Sequence, residues 1–393
     1  MRGRLRSRWV LVAAAAVAMG AAGAYQFVWS SIRPALASQV GASEADLGTV
    51  FTVYVVASTL SQFPAGRFRD RHGPRVPLAV GGLLMAAGFA GTGLANSALE
   101  ATLAYGLGGV GAGAVYTVAV NTPVKWFRER RGLATGVVTL SYSGVSVLLI
   151  PGVRAGVGRD VPGTLALLAA VTGGAALLAG LVLRDPADGD ERAPDDAGEG
   201  EARGWRTAVR TWQFWVLYAL LVAVNGVGLM LIGKAVAFVE QFGFAPAVAT
   251  GAASVVALAD SLGILTVGGL SDRLGRERTV AASVTLAGLS LFVAVEAGAA
   301  GLEAAFVLLL GGAAFFRSPV FSVVPALVGE YYGPARSSEN YALLYTAKVW
   351  GGVGGGVVAS LLIAAVGWAA AFRLGAAALV AVGLLAGTLR PVE

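Results

Sequence analysis

Twelve long apolar runs constrain this chain more than any other feature of its sequence. Each run is close to the roughly 17–25 residues that a helix needs to cross a bilayer. Apolar residues make up 56% of the chain and charged residues only 13%, whereas a soluble domain has about 25% charged residues. The sequence therefore predicts an all-α membrane protein with twelve transmembrane helices, over about 9–31, 46–66, 75–96, 98–120, 132–152, 162–183, 211–239, 246–270, 279–298, 302–326, 340–364 and 367–389.

A short charged motif after the second apolar run returns after the eighth. Residues 66–75 read GRFRDRHGPR, and residues 268–277, which begin 202 residues later, read GGLSDRLGRE. The four identities pair Gly66 with Gly268, Asp70 with Asp272, Arg71 with Arg273 and Gly73 with Gly275. The repeat predicts two pseudo-symmetric six-helix bundles, 1–183 and 211–393. The stretch between them, 184–210, holds eight acids and two prolines within 185–201 and is predicted to be a flexible cytoplasmic linker.

The placement of basic residues predicts the orientation of the chain. Of the 29 Lys and Arg residues, three fall inside predicted helices and four fall in the odd-numbered loops, while the rest lie on the other side. Because basic residues concentrate on the cytoplasmic face, both termini are predicted to be cytoplasmic. The basic N-terminus followed by an Ala/Val run resembles a signal peptide, but the apolar run extends through Trp29, so we expect it to be retained as the first helix.

Several function classes are disfavoured by residues that the sequence lacks. It has no cysteine and one histidine, His72, so it offers no disulfide framework, thiolate metal site or histidine triad. The glycines of 351–356 lie within a helical run and lack the lysine and preceding strand of a phosphate loop, so close helix contact is the better interpretation. No enzyme activity, metal, cofactor or nucleic-acid partner is predicted.

The paired motif and three further segments resemble the major facilitator superfamily, and in particular its oxalate/formate antiporter branch. The further segments are 124–136 (VKWFRERRGLATG), 331–336 (YYGPAR) and 340–348 (NYALLYTAK). The resemblance implies a monomer with a central cavity, in which Lys348 helps to bind a carboxylate. That branch has a substrate-binding arginine where this chain has Ile264, whereas Asp260 matches an aspartate of the related monocarboxylate transporters.

Three charged residues in predicted helices of the second half form the candidate substrate site. A charge at mid-bilayer costs about 2.5–3.5 kcal/mol and usually faces a bundle interior or a wet cavity. Arg317 and Lys348 are predicted to bind a carboxylate, and Asp260 to neutralise one cation or to carry a coupling proton. The alternative is a buried salt bridge that only fixes helix packing.

Aromatic residues are predicted to wall the substrate path. Tyr25 and Trp29, four residues apart on one helix face, resemble an aromatic pair of the same branch, and Tyr345 precedes Lys348 by one turn. For Tyr25 and Trp29 the alternative is an interfacial aromatic belt, and for Tyr345 it is core packing. Lys234 is expected either to snorkel or pair with Glu240, or to draw anions towards the site, and Glu296 is expected at the membrane interface.

The sequence thus favours a multi-pass secondary transporter of the cell membrane for a small organic anion, a monocarboxylate or small dicarboxylate. Alternating access between the halves is expected, with proton symport or anion exchange. The repeated motif, with its Gly, Asp and Arg residues, is predicted to be a gating loop that locks helix ends. The alternative is an efflux pump or sugar-type facilitator in which the embedded charges are structural.

Overall fold

The described part of the chain is built from helices joined by short connections. The computed structural model describes residues 2–126, 131–184, 204–332 and 337–392, and no strand occurs among them. Two segments that carry the family resemblance, 124–136 and 331–336, lie partly outside these ranges. The all-α prediction is confirmed. By helix packing the chain divides into two compact units, Met1–Pro194 and Asp195–Glu393.

The first unit packs its long helices through small residues. Helix α5 lies against both α3 and α4, and α1 packs against α5 and α6. A Cβ at Gly109 of α5 would lie 2.7 Å from the carbonyl oxygen of Tyr54 in α3, so this approach requires glycine. The helices are α1 Arg2–Phe27, α2 Trp29–Val40, α3 Glu44–His72, α4 Arg75–Gly93, α5 Ala98–Trp126, α6 Arg131–Val157 and α7 Val161–Val182.

The second unit is centred on α9, which packs against α10, α15 and α17. Helix α11 packs in turn against α12 and α17. Most residues of α9 are buried, as expected for a helix with neighbours on several sides. The helices are α8 Trp205–Ala208, α9 Trp212–Glu240, α10 Pro246–Leu274, α11 Arg276–Ala299, α12 Glu303–Arg317, α13 Val320–Tyr332, α14 Ser337–Tyr345, α15 Ala347–Val353, α16 Ala359–Val366 and α17 Trp368–Ala386, with a π-helical turn at Gly354–Val358.

Eleven segments within the described residues are long and apolar enough to cross a membrane, so the protein is a multi-pass membrane protein. Every predicted span overlaps a helix, but α3, which contains the predicted span 46–66, is not among the eleven. Helix α3 has sufficient length at 29 residues. Its apolar residues alternate with hydroxyl and amide side chains such as Thr52, Ser61 and Gln62, which lowers its hydropathy. The twelve-span topology therefore stays a prediction.

The repeated motif is not a loop, and this part of the prediction is wrong. Helix α3 continues through the motif to His72 and is followed by Gly73 at φ +81°; likewise α10 runs to Leu274 before Gly275 at φ +88°. Arg and Asp are compatible with helix, so the helix ends only at a glycine that adopts the left-handed region. The charged residues thus lie on helical turns rather than on a flexible connection.

The side chains of this motif are described only in part. Those of Asp70, Arg71 and Asp272, like the surroundings of Gly268, lie outside the described residues. Arg273 is exposed, and Arg69 is one of the largest fully buried side chains. Gly66 faces the side chain of Thr117 in α5. The gating role of these residues stays a prediction.

Two predicted helices of the second half are interrupted. The predicted helix 302–326 breaks at Ser318 and Pro319, where α12 ends and α13 begins, because a proline lacks the amide hydrogen that would continue the helix. The predicted helix 340–364 contains a break at Thr346 and the π-helical turn Gly354–Val358. Gly351 and Gly355 lie directly against α9, which confirms the close-contact interpretation of this glycine-rich stretch.

Candidate functional site

A buried ion pair lies where helix α12 ends. The guanidinium of Arg317 donates a hydrogen bond to Asp260 Oδ1 of helix α10, and both side chains are less than a tenth exposed. The Ser318 hydroxyl lies 2.5 Å from the same Asp260 oxygen and 2.7 Å from the carbonyl oxygen of Ala314. The proline break at residue 319 therefore places two donors, Arg317 and Ser318, against a single carboxylate.

Arg317 occupies a space that a glycine leaves open on the neighbouring helix α9. A Cβ at Gly228 would lie 2.6 Å from Arg317 Nη1 and 2.7 Å from Cζ and Nε. The guanidinium also lies 5.5 Å from the ring centroid of Phe321. Its Nε finds no hydrogen-bond partner among the described residues. A buried N–H without a partner is costly, so this edge of the guanidinium is suited to a bound acceptor.

Lys348 is a second buried cation of the same unit. It is 6% exposed, in helix α15, and its Nζ lies 5.8 Å from the ring centroid of Tyr345, within cation–π range. Its helix packs against α9 at Asn225, about one turn from Gly228, where the Arg317 guanidinium lies. Within the described ranges Lys348 has no carboxylate partner. Two like charges in one buried region repel each other, and a bound anion would relieve that repulsion.

The second unit thus brings together four of the residues that the sequence singled out. Asp260 and Arg317 form the ion pair, the helix of Lys348 packs against α9 within about one turn of where Arg317 lies, and Tyr345 lies beside Lys348. The cluster has one more cation than it has acids. Such a site can stabilise a carboxylate, since arginine offers a planar fork and lysine a point charge.

Tyr25 and Trp29 lie elsewhere, in the interior of the first unit. Both are buried and contact Tyr105, with ring centroids 5.2 and 4.7 Å from it. The hydroxyl of Tyr25 donates to the carbonyl oxygen of Met85 in α4, and its ring stacks on Phe89 at 3.8 Å. These contacts are core packing, which the sequence did not suggest for this pair, and a contact of either residue with substrate stays a prediction.

Two further charged residues, Lys234 and Glu296, lie outside the cluster of Asp260, Arg317 and Lys348. Lys234 does not snorkel: it is 3% exposed, and its Nζ donates to Ser360 Oγ of helix α16 at 2.7 Å. Glu296 is exposed and pairs with Arg373 of helix α17, with Arg373 Nε 2.7 Å from Glu296 Oε1. The Glu296 pair belongs to the surface of α11 and α17, apart from the buried cluster.

Sequence reasoning missed two neighbours of the ion pair, Ser318 beside Asp260 and Gly228 beside Arg317. Ser318 could have been noticed in the sequence, because it precedes Pro319. A proline ends a helix, and the hydroxyl of a serine there lies close to backbone groups that have lost their helical hydrogen bonds. Gly228 could not have been noticed, since it is one of 56 glycines and only the packing distinguishes it. Tyr105, the centre of the aromatic cluster in the first unit, was likewise not predicted.

Comparisons with known proteins agree with an all-helical transporter that spans the membrane many times. A family model described as Major Facilitator Superfamily matches residues 11–252 and 224–393. The chain is 30% identical over 386 residues to the oxalate:formate antiporter of Oxalobacter formigenes, covering 95% of this chain and 89% of that protein. It is 31% identical over 369 residues to an "Uncharacterized 38 kDa protein in 23S RNA operon" of Thermoproteus tenax, covering 92% and 91%.

A solved structure shares the same fold. The bacterial homologue of the human lysosomal transporter Spinster superimposes with a TM-score of 0.74 at 16% identity, covering 96% of this chain and 95% of that one. The chain therefore belongs to the major facilitator superfamily of membrane transporters. It is a multi-pass protein of the cell membrane with a small-molecule substrate, and its family and fold are those of transporters rather than of enzymes.

Proposed function

We propose that this protein is a secondary transporter for a small organic anion, a monocarboxylate or a small dicarboxylate. The observation that carries the proposal is the buried Lys348, which has no carboxylate partner among the described residues while Arg317 is already paired with Asp260. A buried cation without a counter-ion is costly, so a site of this kind is complete only with an anion bound. The similarity to a protein named for oxalate and formate supports the same substrate class.

Each cation has a distinct role in this proposal. Lys348 is the point charge for the substrate carboxylate, with Tyr345 packed beside its ammonium. Arg317 offers its Nε, which has no hydrogen-bond partner among the described residues, to the same carboxylate. Its Nη2 is hydrogen-bonded to Asp260. Both cations lie in the second half. Transport would proceed by alternating access between the two halves, with both termini cytoplasmic.

We propose anion exchange rather than proton symport as the coupling mode. Asp260, the candidate proton carrier, is already engaged by Arg317 and Ser318, and a proton taken up there would have to displace a charge-assisted hydrogen bond. In proteoliposomes, uptake of labelled formate should then require an anion inside the vesicle. Uptake driven by a pH gradient into vesicles without internal anion would instead identify proton symport.

Uptake by single variants tests the site. Lys348→Ala and Arg317→Ala should each abolish uptake of formate, pyruvate and oxalate, while Arg373→Ala, which removes an exposed arginine with its own acidic partner, should retain it. All variants must be recovered in the membrane at similar yield. Normal uptake by both site variants would overturn the assignment, and transport of a sugar by the wild type would favour the facilitator alternative.

A further inference from the structure

We infer that the buried cluster selects singly charged carboxylates over dianions, and that Asp260 is the residue that sets this selection. This inference rests on the proposed function and narrows its substrate class. The cluster holds two cations, Arg317 at Gly228 of α9 and Lys348 on the helix that packs about one turn away, and one acid, Asp260. With each group in its ordinary charge state, the empty site has one net positive charge, which a monoanion neutralises.

Other charged residues leave this count unchanged. Lys234 lies six residues beyond Gly228 on α9, about 9 Å further along the helix, and its Nζ is hydrogen-bonded to Ser360 of another helix. Glu296 pairs with Arg373 at an exposed position. The predicted spans of the first half contain no charged residue away from their ends. The net charge next to a bound anion is therefore set by Asp260, Arg317 and Lys348, while Lys234 adds the same, more distant charge in the wild type and in each variant.

A dianion meets two obstacles at such a site. Its second charge has no counter-ion, and an uncompensated charge in a buried environment is strongly unfavourable. Arg317 supplies only part of the missing counter-charge, because its Nη2 is directed at Asp260, whose Oδ1 also accepts a hydrogen bond from the Ser318 hydroxyl. A second carboxylate that approached Arg317 would also be repelled by Asp260. Removal of the Asp260 carboxylate should therefore raise the net charge of the site from one positive charge to two.

The test compares uptake of formate and pyruvate with uptake of oxalate and malonate in proteoliposomes. The wild type should prefer the monoanions by at least about tenfold, because one unit charge a few ångströms away exceeds thermal energy several-fold even at an effective dielectric constant of about 20. Asp260→Asn should shift the ratio of dianion to monoanion uptake upwards by at least about tenfold. An unchanged ratio in a variant that still transports would overturn the inference.

A double variant separates charge count from other effects of the substitution. Arg317→Ala alone leaves Asp260 unpaired to cancel the charge of Lys348, whereas Asp260→Asn combined with Arg317→Gln removes both members of the ion pair. The double variant again has one net positive charge, on Lys348, and should therefore regain measurable uptake with a preference for monoanions, at a lower rate than the wild type. Glu296→Gln removes an acid from the exposed Arg373 pair and should leave the ratio as in the wild type. A dianion preference in the double variant would contradict the inference.

The outcomes distinguish this inference from the proposed function. If the wild type transports no carboxylate, the proposed function fails. If it transports carboxylates but prefers oxalate and malonate, only the selectivity assignment fails. Should Asp260→Asn not be recovered in the membrane because its buried arginine has lost its partner, the wild-type ratio and the double variant still decide the question.

Discussion

Gly228 determines where the Arg317 guanidinium lies, although it has no side chain to contribute. The guanidinium fills the volume that any Cβ at this position would need. Because the obstructed atoms are the end of a long side chain, a methyl group there would move the arginine rather than disrupt the helix. The glycine is thus a positioning residue for the ion pair with Asp260.

The substitution Gly228→Ala tests this role. It should raise the KM for carboxylate uptake by about tenfold, because misplacement of a binding group by around 1 Å has effects of that order or larger. The thermal unfolding midpoint should change little. Gly251→Ala in α10, where nothing lies within 4 Å of the new methyl group, is the matched control and should leave the KM unchanged. Equal KM values for both variants would contradict the positioning role.

The charged members of the site were predictable from the sequence, but their contacts were not. A lysine, an arginine and an aspartate inside apolar runs are conspicuous because burying a charge is costly. Helix rotation decides that Asp260 pairs with Arg317 and that none of the described acids lies beside Lys348. The contacts of Tyr25 could not be predicted from the sequence for the same reason. Its position beside Met85 and Phe89 follows from which face of α1 meets α4.

Interruptions of helices shape the second unit at the next scale. The break at Pro319 places Arg317 in the last turn of α12, where the negative end of the helix dipole stabilises a cation. The π-helical turn Gly354–Val358 follows directly on the helix that carries Lys348, and such turns are common near functional sites. A proline is visible in a sequence, whereas a π-helical turn depends on packing, which is why only the first could have been predicted.

The π-helical turn depends on Gly355 and tolerates change at Gly354. A Cβ at Gly355 would lie 2.6 Å from the carbonyl oxygen of Gly226 and 2.7 Å from the Met230 nitrogen, both backbone atoms of α9. Gly355→Ala should therefore lower stability by about 1–3 kcal/mol. Gly354→Ala, whose nearest contact would be at 3.8 Å, should be neutral or slightly stabilising. Thermal unfolding in detergent measures both, and equal midpoints would contradict the packing argument.

Helix α3 decides the topology of the whole molecule. If α3 crosses the membrane together with the eleven segments that are long and apolar enough, the number of spans is even and the termini lie on the same side. If α3 does not cross, the number is odd and they lie on opposite sides. All twelve apolar runs were readable in the sequence, but the run of α3 carries hydroxyl and amide side chains along its length, so its hydropathy is too low to place it among the eleven segments.

The chain has no cysteine of its own, so single cysteines report the topology without background. Ala42→Cys precedes α3, and His72→Cys is the last residue of α3. A membrane-impermeant maleimide applied to intact cells should label Ala42→Cys and should label His72→Cys only after permeabilisation. Labelling of both positions from outside would show that α3 does not cross the membrane and would remove the prediction of cytoplasmic termini.

The positive-φ glycines Gly73 and Gly275 hold equivalent places in the two copies of one motif, as expected if an ancestral gene was duplicated and fused. The embedded charges do not follow that symmetry, since Asp260, Arg317 and Lys348 all belong to the later copy. After duplication, one copy was free to specialise in recognition, while the predicted spans of the other kept their charged residues near the ends. The second half alone should then determine which substrate is bound. Exchanging the second halves of two related transporters should therefore exchange their substrates.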